Sequence, residues 1–275
     1  MEEKKKTTIL AIVDDSEYGK SALRHAVTLA HIFKSSVTIV THFTFKIRNY
    51  TQSPNVDLSN ILTDDTKDLT LYYHQEVINL HHLHHLAENA NGIMYVIGVA
   101  RNDKKAFFNR KKALRFIKPS RLPVLTVGAN PPIDPTWKNV ILPIDIDRQA
   151  KEKALWAGYF NRFGGATVHL LHTIYTDAFL KQKLEENLAF IEKLYNNLEI
   201  TSTLHEISPR TDNLEKYALQ HTHEYNGCLL VIMTTTFKTI IDVLFGVREK
   251  SLIANKENIP VLCINEREDL YVLCT

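Results

Sequence analysis

The feature that most constrains this chain is that one order of apolar runs and helical stretches occurs twice. In the first half the run 9–13 (ILAIV) ends at Asp14, an amphipathic stretch 21–33 follows, and a second run, 36–42 (SVTIVTH), comes next. In the second half 139–144 (NVILPI) ends at Asp145, 150–163 reads as a helix closed by Gly164-Gly165, and 166–172 (ATVHLLH) follows. Short β-branched runs read as strands buried on both faces, and a helix between two of them makes a βαβ unit. Asp14 matches Asp145, His42 matches His172, Gly92 matches Gly227, and Pro123-Val124-Leu125 matches Pro260-Val261-Leu262, with an offset that drifts by only a few residues. Two copies of one α/β domain are expected, in 1–130 and 137–275. Between them 129–137 (ANPPIDPTW) carries three prolines and is too stiff and donor-poor for an element.

The remaining elements follow the same pattern. In the first half 69–74 is a candidate strand, 76–90 a helix, 92–99 (GIMYVIGV) a buried strand, 104–118 a basic helix stopped by Pro119, and 122–127 a last strand. The second half continues as helix 177–197, strand 200–207, helix 213–225 and strand 228–233. A Thr-rich turn, a loop, a helix opening near Gly246 and a strand over 259–264 complete it. Each copy is then a doubly wound, mostly parallel, five-stranded sheet. The first is compressed between His42 and Gly92, and is expected to be the degenerate one, lacking a helix.

A formal net charge of +2 makes no global case for nucleic acid or a membrane surface. The run 9–13 is stopped by Asp14 and Asp15, too short for a signal segment, and no stretch approaches the roughly 20 apolar residues of a membrane helix. Cys228, Cys263 and Cys274 show no CxxC spacing, so reduced thiols in a cytoplasmic protein are expected.

Each half resembles a universal stress protein domain. The residues that carry the resemblance are ILAIVDDSE and VILPIDID, TIVTH and VHLLH, MYVIGV and LLVIMT, and LPVLTV and IPVLCI. The likeness spans nearly the whole chain and is stronger in the second half. It implies the universal stress protein-like, adenine nucleotide alpha hydrolase-like fold, and two copies packed through their last strands as an internal pseudo-dimer, with a further homodimer open. Some members hold ATP on a G-x2-G-x9-G-[ST] loop after the fourth strand, with the first-strand Asp near the adenine. Asp14 and Asp145 match that acid. Gly246 matches the last glycine, Thr234 and Thr236 or Phe237 stand at the earlier positions, Val247 replaces the hydroxyl residue, and the loop is one residue short. In the first half Gly98 matches the first glycine, Arg101 stands near the second, and Asn109-Arg110 near the third.

Glycines let backbone approach an anion with no Cβ in the way, whereas β-branched threonines obstruct that approach. A vestigial loop is therefore expected. The alternative is a site for ATP or another adenine nucleotide, built from Thr234, Thr235 and Thr236 and the helix at Gly246. Lys104, Lys105, Arg110, Lys111, Lys112 and Arg115 form a basic cluster, read as a solvated face or as a patch for an anionic partner. His81 and His85 stand at the i,i+4 spacing of metal ligands, but all four histidines of NLHHLHHL are expected to face solvent, opposite Leu80, Leu83, Leu86 and Ala87, with no metal held. No GxSxG, Cys–His pair or Walker lysine is present, so no catalytic residue is assigned. The expected function is a cytoplasmic stress-response protein, acting as a binding or regulatory module for a protein or small molecule.

Overall fold

The structure, a computed structural model, describes residues 6–45, 58, 66–74, 76–129, 137–146, 150–207, 213–226, 229–234 and 251–266. The chain divides into two compact units, Met1–Pro131 with Ile253–Asn258, and Pro132–Leu252 with Ile259–Thr275.

In the first unit β1 (Thr8–Ile12), β2 (Ser36–Val40), β4 (Leu71–His74), β6 (Gly92–Ala100) and β8 (Val124–Val127) form one parallel sheet in the order β8-β6-β1-β2-β4. The compressed half therefore keeps five strands. β1 is buried at every position, as a central strand covered on both faces requires. Short pairings, β3 (Phe43–Thr44) with β5 (Ile78–Asn79) and β6 with β7 (Phe108–Asn109), fasten the loops beyond the sheet. Helix α1 (Glu17–Phe33) starts where the Ser16 hydroxyl accepts from the Gly19 N–H, and it buries Ala22, Ala26, Leu29 and Ala30. It ends at Lys34, whose left-handed backbone (φ 51°) lets its N–H cap the last turn.

In the second unit β9 (Asn139–Pro143), β10 (Thr167–Thr173), β11 (Ser202–Ile207), β12 (Leu229–Thr234) and β13 (Val261–Asn265) run parallel in the order β11-β10-β9-β12-β13. Helix α4 (Ala150–Gly164) stops at Gly165, which has a φ of +70°. Helix α5 (Ala178–Leu198) is capped by Asp177, and α6 (Leu214–Gln220) is followed by a 3-10 turn, Thr222–Tyr225, where one longer helix is expected from the sequence. Trp137, at the end of the proline stretch, is 2 % exposed and stacks on Phe160, so the second unit's core begins there. Burying a side chain of this kind contributes about 1.5–3 kcal/mol, which fixes the start of β9 beneath α4.

Three sequence expectations change. Helix α3 covers only Arg110–Ile117, because the Asn109 side chain caps the Lys112 N–H and residues 104–107 form a turn. Helix α2 (Leu80–Asn89) buries Leu80, Leu83 and Ala87, while Leu86 is exposed and His84 turns inward, its ring stacked on Phe116 and edge-on to Tyr95. Positions 80, 83, 84 and 87 are the true i, i+3, i+4, i+7 stripe, so His84 belongs to the packed face. His42 and His172 are not equivalent. Val13 N–H donates to Val40 O in one unit and Ile144 N–H to Leu171 O in the other, which puts Thr41 where His172 stands. In a strand a slip of one residue reverses the face.

Candidate ligand-binding site

In each sheet the chain reverses its direction of winding beside the first strand, between β1 and β6 and between β9 and β12. Doubly wound sheets bind ligands in the crevice at the carboxyl ends of the strands flanking such a point. Asp14 and Asp145 both lie there, each just past its strand, and both are half-buried.

The first unit closes its crevice with its own residues. Asp14 Oδ2 accepts from the Phe107 N–H at 2.6 Å, and Oδ1 accepts from the Ser16 N–H at 3.0 Å and from the Ser16 hydroxyl. The carboxylate is thus spent on the turn after β6 and on the residue that caps α1; the cap itself is Ser16, not Asp14. Phe107 sits edge-on to Phe43 (4.8 Å between ring centroids) and to Phe108 (5.0 Å), and it stacks with Phe45 (5.8 Å). Aromatic packing of this kind occupies the strand ends with apolar surface. Gly98 serves packing as well. A Cβ there would stand 2.0 Å from the Tyr18 carbonyl oxygen, so this glycine lets the first turn of α1 press directly on β6.

The second unit differs at the position of that glycine. Leu10 pairs with Tyr95 in the first sheet and Ile141 with Leu230 in the second. Along the same strands Gly98 then faces Val127 and Met233 faces Ile264. The residue equivalent to Gly98 is therefore Met233, and Thr234 is one step further on. The Thr234 hydroxyl is buried and donates to the Ile264 carbonyl at 3.2 Å and to Asn265 Oδ1, so it is turned along the sheet toward β13. The Asp145 carbonyl accepts from Asn187 Nδ2 of α5 at 2.9 Å, which holds the turn after β9 against that helix.

The central ladder also stops early. β1 pairs with β6 through Ile12–Ile97, but among the described residues β9 pairs with β12 only at Val140–Leu229 and Ile141–Leu230. The cause is Pro143. Ile144 N–H points to β10, so residue 143 faces β12, and proline has no N–H to donate there. At the winding reversal the two neighbouring central strands are not paired beyond Ile141–Leu230.

On α4 the sheet-facing stripe is Lys153, Ala154, Ala157 and Phe160, with Lys153 only 2 % exposed. Sequence reasoning passed over the burial of Lys153 and the effect of Pro143 on the ladder. A lysine inside an apolar helical stripe and a proline inside a central strand were the legible signals.

Thr235, Thr236, Gly246 and Val247, the rest of the expected loop, lie outside the described residues, as do Gly227, Cys228 and Cys274. In the basic cluster Lys104, Lys105 and Lys111 are exposed. Lys112 Nζ stands 4.2 Å over the Phe107 ring, Arg115 lies 4.5 Å over Phe45 and donates to His81 Nε2, and Arg110 Nη2 donates to the Ala254 carbonyl of the same unit. Three of the six cations thus support the aromatic plug and its surroundings. Among the described residues no group of three or more His, Cys, Asp or Glu side chains could hold a metal, and His81 is engaged by Arg115 rather than by His85. A cavity of about 380 Å³ in the first unit lies away from Asp14, near the start of β1 and β2, lined by Thr8, Ser36, Thr38, Tyr72 and His74. Among the described residues no helix is long and apolar enough to cross a membrane.

The fold is that of a doubly wound α/β protein, and in the first unit the crevice at the strand ends is occupied by the chain's own residues. Over nearly its whole length the chain has the fold of a universal stress protein. It superimposes on the universal stress protein from Archaeoglobus fulgidus DSM 4304 with a TM-score of 0.67, over 94 % of this chain and 98 % of that one, at 12 % identity. A functionally unknown protein from Pseudomonas aeruginosa PAO1 matches with a TM-score of 0.58, over 98 % and 95 % of the two chains, at 13 % identity. No protein-family model and no curated protein matches the sequence.

Proposed function

We propose that the chain is a tandem universal stress protein acting in the cytoplasm as a binding and regulatory module, with its ligand crevice in the second unit and without tightly held ATP. The observation that carries this reading is the hydrogen bond from the Phe107 N–H to Asp14 Oδ2. The acid that would face an adenine in the first unit is committed inside the protein, under a layer of phenylalanines. That unit is then a scaffold, which leaves the second unit to receive the ligand. Native mass spectrometry of protein purified without added nucleotide tests it: the expected mass is that of the chain alone, and a stoichiometric ATP adduct overturns it.

The second reading, a nucleotide site on the loop near Gly246, is favoured by the position of Asp145 just past β9, beside the winding reversal. It requires a thermal shift with ATP–Mg that is lost in Gly246→Trp. No shift at millimolar ATP removes it.

A further inference from the structure

We propose that the cavity near the start of β1 and β2 in the first unit binds a small phenolic molecule, seated where the second unit seats the ring of its own Tyr225. The cavity lies away from Asp14 and the phenylalanines around it, so the inference does not depend on which unit holds a ligand at the strand carboxyl ends.

Two independent correspondences align the sheets of the two units. Val13 N–H donates to Val40 O as Ile144 N–H does to Leu171 O, which matches Thr8 with Asn139 and Thr38 with His169. Leu10, Thr38 and Tyr72 lie in register in the first sheet, and Ile141, His169 and Thr203 in the second, so His74 corresponds to His205. Alternate residues of a strand share a face, so Thr8, Thr38 and His74 form one row and Asn139, His169 and His205 the matching row. The second correspondence lies at the helix ends. Asn91 and Asn226 both have left-handed backbone, φ 55° and 47°, and each carbonyl accepts from the first residue of the central strand. Asn91 O accepts from the Thr8 N–H at 3.1 Å, and Asn226 O from Asn139 Nδ2 at 3.2 Å. The residue before each asparagine is Ala90 in the first unit and Tyr225 in the second.

In the second unit this face is filled. Asn139 Oδ1 accepts from His169 Nε2, and His169 Nδ1 accepts from His205 Nε2, each at 3.0 Å. The Tyr225 ring packs on this row, with centroids 4.7 Å from the His205 ring and 5.7 Å from the His169 ring. The first unit has smaller groups at three of these places. Threonines stand for Asn139 and His169, their hydroxyls 2.8 Å apart, and a methyl group stands for the tyrosine ring. The result is a cavity of about 380 Å³ bounded by Thr8, Ser36, Thr38, Tyr72, His74 and Ala90, within the range of about 300–1,000 Å³ usual for small-molecule sites.

The lining selects the ligand. Tyr72, 54 % exposed, and the His74 ring offer aromatic faces, and flat rings gain more on such faces than burial alone provides. The hydroxyls of Thr8, Ser36 and Thr38 and the His74 imidazole both donate and accept hydrogen bonds, which suits a hydroxyl carried on the ring. Tyr225 is itself such a ring on the equivalent face.

The test uses the full chain, isotope-labelled for amide spectra, with two probes. One is p-cresol, the tyrosine side chain as a free molecule; the other is 4-methylcyclohexanol, which has the same outline without the aromatic ring. Millimolar p-cresol is expected to give saturable shifts at residues 8, 36–38, 72–74 and 90, and 4-methylcyclohexanol to bind at least about fivefold more weakly. In Ala90→Tyr the chain supplies its own ring, so p-cresol binding is expected to be lost while the melting temperature is kept or raised. Ala90 is exposed and its backbone (φ −88°, ψ 9°) is open to other residues. Tyr225→Ala is expected to add a second set of shifts at residues 139, 169 and 203–205. Equal affinity of the parent and Ala90→Tyr overturns the site, and equal binding of the two probes overturns the aromatic class. Shifts of the parent that lie elsewhere, or none at about 10 mM p-cresol, overturn the proposal whether or not either variant folds.

Discussion

The N–H of Phe107 and the carboxylate of Asp14 lie 93 residues apart in the chain and 2.6 Å apart in space. This bond ties the turn after β6 to the end of β1. It converts a position suited to a ligand into part of the protein's own framework. The bond is partly buried, and a hydrogen bond to a charged acceptor is stronger than one between neutral groups.

Replacing Asp14 by alanine leaves the Phe107 N–H and the Ser16 groups without their acceptor. The expected loss of stability is about 3 kcal/mol, read from urea denaturation at pH 7. A loss below about 0.5 kcal/mol contradicts a closing role for this contact.

Gly98→Ala places a methyl group 2.0 Å from the Tyr18 carbonyl, and a backbone atom cannot step aside as a flexible side chain can. Overpacking of this kind costs roughly 1–3 kcal/mol, and the first turn of α1 is expected to lose hydrogen-exchange protection. Unchanged protection in residues 17–20 contradicts the close approach.

Stability is expected to fall on acidification through two buried histidines. Burial lowers the pKa of His84 to about 4, as the charges of His81 and His85 also do; the Phe116 backbone opposes this without reaching hydrogen-bond geometry. His25 is likewise lowered to about 4 by burial, against a hydrogen-bonding contact between its Nδ1 and the Ser21 carbonyl. Unfolded histidine titrates at 6.5, so between 6.5 and 4 the unfolded chain binds the more protons. The contribution is therefore whole above pH 6.5 and is lost as the pH falls toward 4. Between pH 7 and pH 5 each site is expected to cost about 2 kcal/mol, and His84→Leu to remove one such share. Parallel pH profiles of parent and His84→Leu, from urea midpoints, are the outcome that sinks this account.

Arg115→Ala removes the cation over Phe45 and the donor to His81. Because the guanidinium is exposed, the expected loss is small, about 0.5–1 kcal/mol, measured against Lys111→Ala as a control with no effect. A larger effect from Lys111 points to the exposed face of the cluster as the part that matters.

The two-domain α/β plan was legible in the chain because its causes are local and repeated. Apolar β-branched runs such as ILAIV and NVILPI, the acids that end them and the Gly164-Gly165 stop each act within a few residues, and their recurrence in order supports each assignment. Errors arose where one step of register or one turn of helix decided the outcome. Leu86 and His84 differ by little more than half a turn, yet only one of them reaches Phe116. Likewise His42 is one residue beyond the place of His172, a shift too small for pattern matching and large enough to reverse a face.

The crevice was decided by contacts that no local pattern carries. Asp14 and Asp145 are alike in the sequence, each an acid closing a first strand. Only tertiary structure makes one the acceptor of Phe107 and sets the other past a strand whose central ladder ends before Pro143. The sequence by itself determined the elements and their order, because propensity and periodicity are properties of neighbouring residues. Tertiary structure decided that Asp14 is spent on the Phe107 backbone, because that depends on groups brought together across the fold.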